Sequence, residues 1–470
     1  MQHSKGNFGN FGNLGNMSNL FDHIKIFAIL FVFVLLSSCA TSPINLQPQI
    51  NSLIVANKPA KVVKLLAANP NAYGTNNQLL YLLDKSLVLH LAHDYTKSIK
   101  VFEETKLKFD ELYTHSITKG LGTWVINDYT APYHGEDFEH VLVNIFQALN
   151  FAALDNFVEA LVEAREVDSK LWVINSQYAP DQKNVYKEDA FARFLMGILY
   201  EANQTPQDDN DAFISYRRAA EIYTKDYAAN YGLSVPKLLQ DNLLAASQFM
   251  GPAELREYQR RYPEAEGISL KEKQKKAQVY LIQYNGLIPI KIQSSIAIPL
   301  PDGFVARLAF PKYHERFYEI IASQLIAENK KGGRLVSESE LAQDLAGIAV
   351  KNLENRKIRV LAKAALRPAG KYFLERAGEK GIRERYGDDS ALGFKIGASL
   401  FNLASERADL RSWQSLPAQI RIARLILEPG EYDLSLENFN GDDALMEELR
   451  LGSLVLKAGQ IKFLIVRTVK

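Results

Sequence analysis

The chain has 470 residues, 47% of them hydrophobic, with 55 basic against 54 acidic side chains and a formal charge of +1. That is enough chain for two or three ordinary domains. So even a balance supplies no long-range field to draw in nucleic acid or an anionic bilayer, and no nucleic-acid partner is expected. The single cysteine, Cys39, excludes an intrachain disulfide and a cysteine-ligated metal site. Stability must then come from packing, which suits a helical protein with large apolar interfaces.

Residues 24–36 read IKIFAILFVFVLL. This apolar run is shorter than the roughly 20 residues that span a bilayer core, and its length matches the core of an export signal. Leu36, Ser37, Ser38 and Cys39 follow at once. A branched apolar residue, two small residues and a cysteine make up the lipobox of bacterial lipoproteins. Small residues let an extended chain enter a peptidase site, and the cysteine sulfur carries the diacylglycerol. The expectation is signal cleavage between Ser38 and Cys39, palmitate-type lipidation of Cys39, and attachment to a membrane through the N-terminal lipid. The bland alternative is a buried strand ending in a chance Ser-Ser-Cys. Neither Ala40 nor Thr41 is the aspartate that retains lipoproteins in the inner membrane, so the rule implies the outer membrane, periplasmic face. The leading GNFGNFGNLGN repeat carries no fold information, and translation from Met1 or from Met17 stays open. Residues 1–39 are thus read as signal, and 40–49 as a tether with two prolines.

From 50 to 266 apolar residues recur three and four apart, which predicts helices. The pattern also repeats. Ala148, Phe151, Phe157, Ala160 and Ala164 place small residues where two antiparallel helices approach closest, with aromatics filling the space beside them. Ser86, Leu89, Tyr95, Ser98 and Phe102 fall at matching intervals. Gly197, Tyr200, Ala212, Tyr216 and Ala219 do so with a longer loop, and Leu53, Pro59, Val62 and Leu66 form a fainter copy. Helices over 237–248 and 253–261 close the series. The spacing resembles tetratricopeptide repeats, and the alternative is an irregular helical bundle. Gly135 breaks the chain, and Glu136 and Asp137 start the next helix, where acids complement its dipole. Trp124, Tyr129 and Tyr133 precede that start, either as a ligand surface or as wedges against the helix.

Near Ala277 the period changes. AQVYLIQYNGLIPIKIQSSIAI carries Asn285-Gly286 between apolar runs, which predicts a hairpin. Residues 304–310 read as a further strand. Residues 337–366 read as a helix with a capped start at Ser337, and 391–408 as a second. Two more hairpins are expected, turning at Pro429-Gly430 and near Gly459. The fold class expected is mainly α: an N-terminal tetratricopeptide-like helical solenoid (50–266) followed by a smaller α+β domain with antiparallel hairpins (267–470).

Three segments resemble an uncharacterised family of Gram-negative lipoproteins with tetratricopeptide-like helical repeats: YHGEDFE from Tyr133, NGLIPIK from Asn285, and DLRSWQSLP from Asp409. The resemblance implies topology and location, and no catalytic residues.

The search for chemistry returns weak candidates. His90 and His93 stand three apart, without a third metal ligand nearby. His134 and His140 lie near Glu136, Asp137 and Glu139, where a charged helix start is the plainer reading. Residues 208–211 resemble a calcium loop but lack its glycine and its closing glutamate, so a helix cap is expected. Arg407, Asp409 and Arg411 around Trp413 suit either carboxylate and glycan recognition or a corner pinned by the indole, the latter favoured. No catalytic residue, cofactor or metal is assigned. The expected function is a non-catalytic protein-binding scaffold in envelope or surface-structure biogenesis, with another envelope protein as partner. The alternatives are a cell-wall glycan-acting enzyme and a small-ligand module with its groove between the halves.

Overall fold

The computed structural model describes residues 46–118, 131–176, 185–299, 305–356, 372, 375–385, 387–388, 392, 395 and 407–470. Ser38 and Cys39, with the rest of the expected signal, lie outside the described residues, as do Trp124 and Tyr129. About half of the chain is helical, and the C-terminal region is built on largely antiparallel sheets.

Helices follow one another in pairs: α1 (Gln47–Val55) and α2 (Pro59–Ala68), α3 (Gln78–Leu91) and α4 (Tyr95–Thr118), α5 (Asp137–Ala153) and α6 (Phe157–Ser176), α7 (Ala190–Asn203) and α8 (Pro206–Ile222), α9 (Lys237–Met250) and α10 (Pro252–Arg261). Proline in the first turn starts α1, α2, α8 and α10, where its missing N–H costs nothing. Asn57, His93, Asp155 and Gln204, one in each of the first four intra-pair turns, take a positive φ of 51–59°. One left-handed residue ends a helix tightly and reverses the chain. Each helix packs against its partner, and α4, α6 and α8 also pack against the next pair. The first helices α3, α5 and α7 are buried on almost every side, whereas the second helices expose Leu107, Val158, Trp172 and Ile214.

Among the described residues the strands form three sheets. The first has the order β10 (Ile461–Thr468), β1 (Ala277–Asn285), β7 (Gln419–Leu427), β6 (Glu340–Asp344); β1 runs parallel to β10 and antiparallel to β7. The second is the ribbon of β2 (Ile290–Pro299) and β3 (Val305–His314). The third has the order β5 (Arg334–Glu338), β4 (Ala322–Asn329), β8 (Gly430–Phe439), β9 (Leu445–Leu456). Ala277, Val279 and Leu281 of β1 and Ala423, Leu425 and Leu427 of β7 share a core with Leu325 of β4 and Leu434 and Leu436 of β8. Alternation sends the other face of β1 toward the helices. There the Tyr280 hydroxyl meets Asn242 of α9 and the Tyr284 hydroxyl meets His90 of α3. Every residue of β1 is buried, because the first sheet lies between the third sheet and the inner helices.

Three expected hairpins are corrected. Asn285-Gly286 does not join paired strands: β1 pairs with β10 and β7, and β2 with β3. Pro429-Gly430 joins β7 of the first sheet to β8 of the third, and the turn at Gly459 joins β9 of the third to β10 of the first. A tight turn between alternating strands serves equally for a hairpin and for a crossing between stacked sheets. The pairing partner is chosen by which apolar faces meet. Hairpins do form, at β2–β3, β4–β5 and β8–β9. The helix expected from Ser337 is also corrected. Residues up to Asp344 are strand, crossing from the third sheet to the first at Ser339, and helix α11 (Leu345–Asn355) starts there, capped by the Asp344 carboxylate on Gly347 N–H at 3.0 Å. The helix expected over 391–408 lies outside the described residues save Leu392, Lys395, Arg407 and Ala408.

Candidate functional site

Among the described residues a dense group of polar side chains gathers at the N-terminus of α5, where the segments 133–139, 285–291 and 409–417 converge. Glu136 and Glu139 form a capping box across the first turn. Glu139 is fully buried and accepts from the Tyr133 hydroxyl (2.7 Å), from Glu136 N–H (3.1 Å) and from Trp413 N–H (2.8 Å). Glu136 pairs with Lys291 at the start of β2 and with Arg356 after α11. Lys291 also donates to Arg411 O at 3.0 Å. Arg411 binds Asp409 through two nitrogens, reaches Ala131 O at 2.9 Å and Asn77 at 3.1 Å, and lies over the Tyr133 ring. Beside this group, Asp84 of α3 accepts from the Tyr73 hydroxyl (2.6 Å) and the Ser415 hydroxyl (2.5 Å).

Burial pushes the Glu139 carboxyl up to about 7, against the pull of the Tyr133 and Trp413 hydrogen bonds. It raises Asp84 to about 6, against the bonds from Ser415 and Tyr73. Asp409, although largely enclosed, is held below the usual carboxylate range by Arg411. Burying such charges costs several kcal/mol per ion unless partners compensate, and here each has them. The cluster ties the helical layer to the loop that leads into β7. Trp413, wholly buried, sits 5.7 Å from the Phe146 ring of α5. Sealed carboxyls of this kind cannot reach a substrate, and Arg411 is already saturated. The corner-pinning reading of Trp413 therefore fits, and the glycan-gripping one does not.

His90 and His93 both lie 5.7 Å from the Tyr95 ring and take different hydrogen-bond partners. His90 is buried, its Nδ1 against Asn150 Oδ1 (2.7 Å) and its Nε2 against the Tyr284 hydroxyl (2.9 Å). Burial lowers it to about 4, so the ring is neutral. His93 occupies the left-handed turn and meets the Tyr95 hydroxyl at 2.7 Å. His140 packs on Phe109 and faces the His134 carbonyl at 3.1 Å. Asp208 closes a capping box with Thr205. Among the described residues no group of three or more His, Cys, Asp or Glu converges as a metal site. No helix among them is long and apolar enough to cross a membrane.

A second polar cluster escaped the sequence reading. Lys273 bonds both Glu201 oxygens at 3.0 Å and Asn242 at 3.3 Å, and the Tyr216 hydroxyl donates to Glu201 at 2.9 Å. Asn242 also bonds Arg424 of β7. Burial lowers Lys273 to about 8. Lys273 was hidden in the run KEKQKK, which reads as solvated charge. Arg424 sits at a polar position of an alternating strand, which sequence alone assigns to water.

Beside Arg424, a groove of about 450 Å³ runs between the start of α9 and β7, with the β5–β6 corner at one end. Its wall is built by Glu340 of β6, whose carboxylate accepts from Leu238 N–H at 3.0 Å and from Lys237 N–H, so a strand residue caps α9. Compared with known protein families the chain matches no family model, and it matches none of the curated proteins.

Proposed function

We propose that the chain is an outer-membrane-anchored periplasmic lipoprotein, lipidated on Cys39, that acts as a non-catalytic protein-binding scaffold in envelope or surface-structure biogenesis. The observation that carries the anchoring is the apolar run 24–36 set directly against Leu36-Ser37-Ser38-Cys39. For the helical pairs we propose a tetratricopeptide-like register. It is supported by the burial of Ala148, Ala160, Ala164, Ala212 and Ala219, and by the Ser98 hydroxyl donating to Ser86 O at 2.8 Å where two pattern positions meet. Gly197 supports it too, since a Cβ there would lie 2.2 Å from the Tyr216 ring. The scaffold reading draws on where the reactive groups are spent: Glu136, Glu139, Lys291 and Arg411 hold layers together. The inner helices are covered by the chain's own first sheet, so an envelope partner meets the outer helices and the sheet edges. Exposed Val158, Val162, Trp172 and Val173 along α6 supply apolar contact area there.

Two measurements test this. Cells expressing Cys39→Ala should incorporate no labelled palmitate and accumulate unprocessed precursor; labelling at the wild-type level refutes the anchor. A photo-crosslinker at position 172 should capture an envelope protein in intact cells, and capture of nothing from 172 or from the β7 groove refutes the scaffold.

A further inference from the structure

Sheet edges left without a partner are templates for another strand. The register shows which edge of β7 is open. Gln278 N–H donates to Gln460 O and Gly286 N–H to Thr468 O, so even-numbered residues of β1 bond to β10 and odd-numbered ones to β7. Pairing of Val279 with Leu425 and Leu281 with Ala423 then turns the odd-numbered backbone of β7 toward β1. The even-numbered backbone faces the other way. There β6 covers Gln419 to Ile422 and stops, because the chain leaves at Ser339 for the third sheet. Beyond it the N–H and C=O groups of Arg424 and Ile426 have no backbone partner among the described residues. Both residues line the groove of about 450 Å³, a size in the usual range of about 300–1,000 Å³ for ligand sites.

The edge of β9 is different. It is broken by two register shifts and carries Glu447, Glu448 and Arg450, the features that discourage strand addition. On the β7 edge the register shift lies in β6, between Leu341 and Gln343, short of Arg424, and β7 itself carries no lysine. Leu238, Ile268 and Ile426 offer the groove apolar walls, and its carboxylates Asp241, Glu266, Glu338 and Glu340 outnumber Lys237 and Arg424. Glu266 and Glu338 are exposed.

We infer that this groove is a peptide site: an extended segment of a partner protein, alternating basic and apolar residues, adds as a strand to β7 beside Arg424 and Ile426. Main-chain hydrogen bonds supply the affinity, and the acidic rim selects the basic side chains. The inference deepens the scaffold reading and names the partner's chemistry, but it does not depend on the lipid, which palmitate labelling tests separately.

The test uses the full chain and a fluorescein-labelled hexapeptide alternating lysine and valine. Anisotropy should show saturable binding, at least tenfold weaker for the glutamate–valine peptide and for one N-methylated at alternate amides. Amide exchange at Arg424 and Ile426 should be fast in the free chain and slow with peptide, while Leu425 is protected throughout. Ile426→Pro removes the outward N–H together with the side chain, so Ile426→Ala, which keeps the N–H, is its control: the proline variant should abolish binding and the alanine variant retain it, with little change in melting, since proline is tolerated where a strand's N–H faces outward. If the proline variant melts early, the N-methylated peptide decides alone. Equal binding of the N-methylated or the acidic peptide overturns the inference, as does no binding at millimolar peptide. So does protection of Arg424 and Ile426 in the free chain, which would mean that another part of the same chain, or a second copy, already occupies the edge.

Discussion

The contribution of Glu139 to stability should fall as pH rises from 4.5 to 8. Its carboxyl moves from an ordinary 4.5 to about 7 on folding because burial penalises the charge. A carboxyl whose affinity for its proton rises on folding contributes fully below about pH 4.5, and that contribution is lost as pH climbs through about 7. At about 1.4 kcal/mol for each tenfold in proton affinity, the loss is on the order of 3 kcal/mol. Asp84, raised from 3.8 to about 6, acts in the same direction over a lower window, whereas His90 and His140, lowered by burial to about 4 and about 3, add stability as pH rises through the ordinary histidine value, so Glu139 is read as the difference between the wild type and a variant that lacks its proton. Glu139→Gln keeps an oxygen for Trp413 N–H and turns an amide toward the Tyr133 hydroxyl, loses the acceptor for Glu136 N–H at every pH alike, and carries no titrating proton. Guanidinium melts at pH 6, 7 and 8 should show the wild type losing about 1 kcal/mol of stability relative to Glu139→Gln across the interval, whatever the slope the two share. Parallel curves for the two proteins would refute the reasoning, because the titrating group would then lie elsewhere.

Trp413→Ala should cost about 3–5 kcal/mol, the range for deleting a wholly buried large aromatic, and near-UV circular dichroism should show the loss of its fixed environment. Gly197→Ala places a methyl against the Tyr216 ring and should cost about 1–3 kcal/mol by overpacking, readable in the melting temperature; an unchanged value would place α7 and α8 further apart than described. A fragment ending at 266 uncovers the inner helices and strips Asp84, His90 and Glu139 of Ser415, Tyr284 and Trp413. It should show helical dichroism without a cooperative melt, and a sharp transition matching the full chain would mean that the helices stand alone.

The helices were legible because their signals are local. Apolar residues three and four apart mark 50–266 as helical, the acids at Glu136 and Asp137 mark the start of α5, and 237–248 and 253–261 are expected nearly as α9 and α10 are found. The pattern of small residues at Ser86, Ser98, Ala148 and Ala160 was visible for the same reason, since helix spacing is a property of consecutive residues. Strand positions were legible too: the alternation in IRIARLIL and the β-branched run from Ala277 both mark real strands. What the sequence could not decide was pairing. Asn285-Gly286, Pro429-Gly430 and the Gly459 turn each suit a hairpin, and each instead carries the chain between layers, because β1 and β7 bury one face on the third sheet and the other on helices. The roles of Lys273, Lys291 and Arg424 were hidden likewise, for each is a charge in an ordinary polar position until a partner 72 to 182 residues away in the chain, Glu201, Glu136 or Asn242, closes over it. Local periodicity is written in neighbouring residues; which faces meet, and hence which charges are sealed and which edge of β7 stays open, is fixed only when the layers stack.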